Sequence, residues 1–312
     1  MGKGANRVTI GTNSQWPDLP LSAWGDTCDT LQLWTQIVGK VRIALTPLVN
    51  HWWNATFYVT ARGLAAPAMP YAGGMVDITF DFASHRLLIK TSDCRVGSFA
   101  LKPMPVCDFY SEVMERLHRL GVDVQIRTMP CEIPRAIPLD KDRSHAQYDP
   151  IYAQRFWHAL VQINRVMNVF RARFLGKASP VHFFWGSFDL VVTRFSGRTA
   201  PPPKGHTPYV ADWIMAEAYS RECSSCGFWP GNGGFGDPAF YVYAYPEPAG
   251  YGETRLKTAG ATYNSDLGQF ILPYDAVRQA RDPDALLLGF LQETYEAAAD
   301  LAKWDRQALE RA

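Results

Sequence analysis

The stretch VHFFWGSFDLVVTRFSG (residues 181–197) begins with a histidine and an aromatic cluster, continues as an apolar run and ends with Thr, Arg, Phe, Ser and Gly. The stretch NHWWNATFYVTARG (residues 50–63) places the same residue types in a similar order in the first part of the chain. Their β-branched and aromatic residues predict strands, the first stretch forming a strand pair or one long bent strand. The repetition has two interpretations: a duplicated core strand, or two walls of one ligand pocket.

Helices and strands alternate in a repeated order around these two stretches. Apolar residues at intervals of three and four predict a helix from Asp26 to the residues before Pro47, and three further long helices in VCDFYSEVMERLHRLGV, DPIYAQRFWHALVQINRVMNVFRARFLG and LLLGFLQETYEAAADLAKW. A shorter helix is predicted in YVADWIMAEAYSREC. Alternating patterns predict strands in MVDITFDF, HRLLIKTS, RVGSFALKP, VDVQIRTMP and AFYVYAYPEP, and a hairpin in ATYNSDLGQFILP.

This order predicts an α+β fold made of tandem-duplicated units of antiparallel strands, with helices packed on one side. We expect an N-terminal arm (1–20), a first α+β half (21–139) and a second α+β half (140–312) that together form one compact unit. The Pro-rich segment 130–138 marks the joint between the halves. Junctions of this kind favour small-molecule pockets, so we expect a cleft there.

Composition argues against several classes of partner. The 312 residues carry a formal net charge of +1 and no long basic run, which disfavours nucleic-acid binding. No secretory signal and no run of about 18 apolar residues is present, so no membrane partner is expected. Six scattered cysteines are then expected to be reduced thiols of a cytoplasmic protein.

The charged residues of residues 181–197 are candidate site residues. A strand this apolar is expected to be covered on both faces, so Asp189 and Arg194 would be costly to bury without partners. One interpretation is a structural ion pair for each of them with a nearby helix residue. The other makes them substrate-orienting groups beside His182, with Arg194 binding an anion and His182 exchanging protons. His51 and Arg62 are the counterparts in residues 50–63.

Further candidates lie in the second half of the chain. Glu222 is a candidate acid or base. Trp229 stands in the glycine-rich loop GFWPGNGGFGDP and is a candidate lid, while a plain surface loop is the alternative. Tyr243 belongs to three tyrosines that alternate onto one face of a strand, and Trp53 and Trp185 are expected apolar walls.

No cofactor can be named from the sequence. The pair CSSC (residues 223–226) follows a predicted helix, the wrong end for thiolate stabilisation, and no second ligand pair completes a zinc site. We therefore expect no metal site. Haem would have His51, His158 and His182 as axial ligands, but no CxxCH attachment motif is present.

Three phrases resemble a bacterial family of unknown function, DUF5996: LWTQIVGKVRIALTPLVNHWW, SPVHFFWGSFDLVVTRFSG, and CGFWPGNGG followed by PAFYVYAYPEP. The resemblance runs from Trp16 to about Trp304. It implies one unit rather than two freely shuffled domains, and it implies no activity or catalytic residue.

The functional expectation is an enzyme or binder that acts on a small organic molecule with an anionic group, in an aromatic-lined cleft between two similar halves. The catalytic candidates are His182, Asp189 and Glu222, and the ligand-binding candidates are His51, Trp53, Arg62, Trp185, Arg194, Trp229 and Tyr243. The alternative is a non-catalytic structural or interaction protein whose aromatic residues fill the core.

Overall fold

The computed structural model describes residues 16–231 and 236–311. These residues form an α+β fold with two antiparallel sheets of five and six strands. The fold class predicted from the sequence is therefore confirmed. Most of the expected N-terminal arm, residues 1–15, lies outside the described residues.

The first half contains one long helix, a five-stranded meander and a second helix. The elements are α1 (Leu21–Leu45), a 3-10 helix (Asn50–Ala55), β1 (Tyr58–Thr60), β2 (Gly63–Tyr71), β3 (Gly74–Asp81), β4 (Arg86–Thr91), β5 (Val96–Ala100) and α2 (Val106–Arg119). The strands pair in chain order, so the first sheet reads β1-β2-β3-β4-β5. Helices α1 and α2 pack against it, with the ring of Trp34 stacked on that of Phe109 at 4.5 Å.

The second half repeats this order with more strands. Its elements are α3 (Pro150–Ala172), β6 (His182–Phe184), β7 (Asp189–Thr199), α4 (Asp212–Ala218), β8 (Arg221–Trp229), β9 (Ala239–Tyr245), a 3-10 helix (Tyr251–Glu253), β10 (Thr262–Asn264), β11 (Gln269–Pro273), α5 (Tyr274–Arg278), α6 (Pro283–Leu301) and α7 (Arg306–Leu309). The second sheet reads β10-β11-β9-β8-β7-β6. Helix, antiparallel strands and helix thus follow each other twice, as a tandem duplication would produce.

The two histidine-containing stretches are neighbours that join the sheets. Phe57, just before β1, and Phe183 of β6 exchange two backbone hydrogen bonds of 2.9 Å, so the edge of one sheet meets the edge of the other. The stretches do not share one local structure, however. Residues 181–197 form the hairpin β6–β7, whereas Asn50–Ala55 is a 3-10 helix in which His51 and Trp52 have left-handed backbone angles. The strand predicted over those six residues is wrong.

The two faces of strand β7 have different surroundings, and side chains alternate between these faces along the strand. Arg194 lies on the face covered by the long helices, with its guanidinium over the rings of Phe170 from α3 and Tyr295 from α6. Asp189, Val191, Thr193 and Phe195 lie on the other face, where they line a cavity. This alternation decides which predicted site residues can reach a ligand.

Candidate functional site

A cavity of about 670 Å³ lies on the face of the second sheet that carries Asp189. Strands β7, β8 and β9 form its floor, and its walls come from the C-terminal part of α1, the 3-10 helix Asn50–Ala55, the segment 125–132 and α4. Residues from both the first and the second sheet's half of the chain therefore contribute to it. Its aromatic lining consists of Trp52, Trp53, Phe184, Trp185, Phe195, Tyr209, Tyr219, Tyr241 and Tyr243.

A buried carboxylate marks one end of the β7 floor. Asp189 accepts hydrogen bonds from the hydroxyl groups of Ser187, at 2.5 Å, and Tyr241. Burial raises the pKa of Asp189 to about 6, although these two hydroxyl groups oppose the shift. Burial, together with the charge of Asp189, raises the pKa of Tyr241 well above its usual range, so the phenol stays protonated and donates.

The Tyr241–Asp189 contact depends on a glycine in the strand between them. Tyr241 is on β9 and Asp189 on β7, and β8 separates these strands. Gly227 pairs with Tyr241 on β8, and a Cβ atom added there would lie 2.7 Å from Cε1 of the tyrosine ring. The tyrosine side chain can cross β8 because glycine leaves its path open.

A second carboxyl group, that of Glu132, lies near Asp189. Glu132 is an exposed residue that borders the cavity, and desolvation of its carboxyl group together with the charge of Asp189 raises its pKa to about 7. The backbone of Gly186 accommodates it, because an added Cβ would stand 2.9 Å from Cδ of Glu132. Neither carboxyl group forms an ion pair with a cation of the described residues. Two carboxyl groups that titrate near neutrality are thus held side by side.

Hydroxyl groups continue along the floor from Asp189. The hydroxyl group of Tyr243 is 3.1 Å from that of Tyr219, and the Thr193 hydroxyl is 2.8 Å from that of Ser225. Burial raises the pKa of Tyr219 to about 12, so this phenol is also neutral. The floor therefore offers uncharged donors and acceptors beyond the two acids.

A histidine and a lysine stand at the other end of the floor, beside Phe195. His51 Nδ1 donates to the carbonyl of Ala218 at 2.8 Å, which leaves Nε2 to accept from the ammonium group of Lys177 at 2.9 Å. Lys177 also lies 5.1 Å from the ring centroid of Trp53 and 5.0 Å from that of Phe195. Burial lowers the pKa of His51, which favours the neutral imidazole that this arrangement requires.

Of the residues predicted from the sequence, five line the cavity: His51, Trp53, Trp185, Asp189 and Tyr243. The indole nitrogen of Trp185 donates to the carbonyl of Ala55 at 2.6 Å, which fixes this ring across the junction of the two halves. Trp53 packs against the ring of His51 at 5.4 Å.

Both arginines predicted to bind an anion lie elsewhere. Arg194 is fully buried between α3 and α6, where it donates to the carbonyl of Phe170, and burial lowers its pKa to about 10. Arg62 is exposed at the end of the first sheet and pairs with Asp81 at 2.6 Å. The parity of β7 excludes Arg194 from the cavity, and the turn after β1 carries Arg62 away from it. Their placement in the site was wrong.

Two catalytic candidates also fall outside the cavity. His182 lies at the junction of the sheets, where its Nε2 is 3.1 Å from the hydroxyl of Tyr58. Burial, and to a lesser extent the positive charges of Arg171 and Arg42, lowers the pKa of His182 to about 3. Such an imidazole is neutral at physiological pH and cannot act as an acid. Glu222 accepts from Arg198 Nε at 2.7 Å. It points to the face of β8 opposite the cavity-lining Cys223.

Trp229 borders a smaller hollow of about 500 Å³ next to the main cavity. Glu132, Gly186 and Ser187 line both hollows, so Glu132 stands in their common wall. Trp229 is the last residue of β8 rather than part of a loop, and residues 232–235 of the predicted lid loop lie outside the described residues.

The CSSC pair lies within β8, not after a helix as predicted, because α4 ends at Ala218. Cys223 and Cys226 are three residues apart and face opposite sides of the sheet. Burial raises the pKa of both thiols to about 12, which is the reverse of what redox chemistry requires.

Sequence reasoning missed Glu132, which stands in the Pro-rich segment treated as a joint. The sequence did offer one signal: Glu132 is an acidic residue in the segment that connects the two halves, where a cleft was expected. Its backbone conformation is left-handed, with φ of 64°.

Within the described residues, no three His, Cys, Asp or Glu side chains are grouped so that they could hold a metal ion. None of the described helices has the length and apolar character needed to cross a membrane.

Comparison with known proteins gives one match. The family model described as a family of unknown function, DUF5996, matches residues 16–311. No curated protein and no solved structure matches the chain. The matched range covers both sheets and every element that lines the cavity, so the chain belongs to the DUF5996 family.

Proposed function

We propose that the protein binds a small organic molecule with an anionic group in the cavity above β7 and acts on it by general acid–base catalysis. Asp189 and Glu132 are the two proton-transfer groups in this proposal. The observation that carries it is their arrangement: two neighbouring carboxyl groups, with pKa values of about 6 and 7, open to an aromatic-lined cavity.

A pKa near the working pH favours proton transfer, because the group is then present in both its acidic and its basic form. Paired carboxyl groups that differ in pKa can take the roles of base and acid, as in several known acid–base sites. Asp189, with the lower pKa, is the base, and Glu132 is the acid. Tyr241 and Ser187 orient Asp189 through the hydrogen bonds they donate to it.

The rest of the cavity supports binding of an organic molecule. Aromatic side chains provide large apolar contacts, and the volume of about 670 Å³ is in the usual range for small-molecule sites. Lys40 and Arg127 line the cavity, and Lys177 contacts the cavity-lining residues His51 and Phe195. These three cations replace the two arginines as partners for an anionic group. A cytoplasmic location belongs to the same proposal and is supported by the six free cysteines.

The test is a metabolite screen by thermal shift, followed by product analysis of each stabilising compound. We expect the parent protein to convert at least one compound, and Asp189→Asn and Glu132→Gln to bind it but lose at least 100-fold in turnover. Glu222→Gln is the matched control, because its carboxyl group lies on the other face of β8, and it should retain full turnover. A stabilising compound whose turnover survives both cavity variants would refute the acid–base roles. The absence of any stabilising compound would favour the alternative of a structural or interaction protein.

A further inference from the structure

We infer that the ligand is bipolar: an elongated molecule with a cationic or proton-donating group at Asp189 and Glu132 and an anionic group at Lys177. The inference rests on the proposed function and adds the chemical class and the orientation of the ligand.

The first argument is the length of the floor. Asp189 and Phe195 both line the cavity and are six residues apart on β7. A strand rises about 3.3 Å per residue, so their Cα atoms are about 20 Å apart. A ligand that contacts groups at both ends must therefore be extended rather than compact.

The second argument is that the charges at the two ends do not neutralise each other. Asp189 accepts hydrogen bonds from two hydroxyl groups and lies near Glu132, and no described cation forms an ion pair with either carboxyl group. A buried carboxylate without a counterion, such as that of Asp189, is costly, and a cationic or hydrogen-bond-donating ligand group removes that cost.

The third argument is the cation at the other end. Lys177 donates to a neutral imidazole nitrogen of His51 and lies over two aromatic rings, but it forms no ion pair with any described acid. Arg221 is close enough to lower the pKa of Lys177 further, and Glu217 acts on His51 in the opposite sense. An ammonium group that has no carboxylate partner and contacts the cavity-lining residues His51, Trp53 and Phe195 is a ready site for a carboxylate or phosphate group.

The fourth argument is the chemical character of the cavity floor between its two ends. Between the two ends, the floor carries Val191 and the uncharged hydroxyl groups of Thr193 and Tyr243. An uncharged chain or ring system fits such a section, whereas a molecule charged along its whole length does not.

The experiment measures dissociation constants by calorimetry for 6-aminohexanoate, 8-aminooctanoate and 11-aminoundecanoate, compared with octanoate and octylamine. We expect at least one amino carboxylate to bind tenfold or more tightly than both single-ended compounds. Lys177→Met should abolish the tighter binding of the amino carboxylate relative to octylamine. Asp189→Asn should abolish its tighter binding relative to octanoate. Lys102→Met, at an exposed lysine after β5, should change nothing.

Octanoate or octylamine binding as tightly as every amino carboxylate, or no binding by any of the five compounds, overturns the inference. The failure of the proposed function has a separate signature. Ala44 lines the cavity from the exposed side of α1, so Ala44→Trp fills part of the cavity without entering the core. An amino carboxylate that binds Ala44→Trp as tightly as the parent does not occupy the cavity, and both proposals then fail. Tight binding of octanoate alone, lost in Ala44→Trp, leaves the proposed function standing.

Discussion

Replacing Asp189 by Asn should stabilise the protein while it removes function. The ordinary pKa of this carboxyl group is 3.8, and burial raises it to about 6. At pH 8 Asp189 is ionised in both states, but its ionisation is less favourable in the folded protein than in the unfolded chain. A shift of about two pKa units corresponds to a cost on the order of 3 kcal/mol. Asparagine is isosteric, and its Oδ1 can accept from one of the two hydroxyl groups while its Nδ2 donates to the other, so we expect a net gain in unfolding free energy of about 1–3 kcal/mol.

The pH dependence identifies the cause of the gain. Since the folded pKa is raised, protonated Asp189 contributes its full stability below about pH 4, and the contribution is lost as the pH rises through 6. The gain of Asp189→Asn over the parent should therefore grow by about 1–1.5 kcal/mol between pH 5 and pH 8. Urea unfolding of both proteins across this range measures it.

A second buried aspartate provides a control of opposite sign. Burial acts on Asp81 as well, but hydrogen bonds from Arg62 and Ser84 outweigh it and lower the pKa of this carboxyl group. Its stabilisation is present above the ordinary pKa of 3.8 and is lost as the pH falls through the folded value, so Asp81→Asn should destabilise by about 2 kcal/mol at pH 8. The reasoning is refuted if Asp189→Asn is less stable than the parent at pH 8, or if its gain does not grow with pH.

Two further predictions concern the floor of the cavity and the thiols. Gly227→Ala should displace the Tyr241 ring and lower the free energy of unfolding by about 1–3 kcal/mol, as measured by urea denaturation. Gly25→Ala is the control: it lies in α1 with no neighbour closer than 3.9 Å and should raise the free energy of unfolding by about 0.5–1 kcal/mol. Equal stability of the two variants would contradict the role of Gly227. In the native protein, a thiol reagent should label exposed Cys94 within minutes and leave Cys226 unlabelled until unfolding, because burial raises the pKa of the Cys226 thiol to about 12. Rapid labelling of Cys226 would show that β8 opens.

Sequence periodicity located the long helices because their apolar residues face the core at intervals of three and four. Helix α3 begins at Pro150 after Asp149, which accepts from two backbone amides of the first turn, as a capping residue does. Strand β2 was missed because Pro67 and Pro70 lie within it. The sheet tolerates them through a register shift between Ala66 and Met69.

The opposite error occurred in VDVQIRTMP, which alternates like a strand but has irregular structure and lines the cavity with Gln125, Ile126 and Arg127. Alternation alone cannot distinguish a strand from a segment that packs one side against a cavity wall, because pairing depends on a free sheet edge nearby.

The candidate site could be predicted only in part, for reasons of geometry. Asp189 was recognised because a charge inside an apolar run needs an explanation. Arg194 was grouped with it as the second charge of the same apolar run, but the two residues are five positions apart on β7 and therefore face opposite sides of the sheet. The Glu132–Asp189 pair joins residues 57 positions apart, and only the fold brings them together.

Thermal shift of the parent, Ala44→Trp and Glu115→Trp with one stabilising metabolite is the most direct test of the cavity as the functional site. Glu115 is an exposed residue of α2 and controls for the added tryptophan. A ligand at about 100 times its dissociation constant stabilises by about 2.7 kcal/mol. The account predicts a rise in Tm of about 5 °C for the parent and Glu115→Trp and almost none for Ala44→Trp. An equal rise in all three proteins would contradict it.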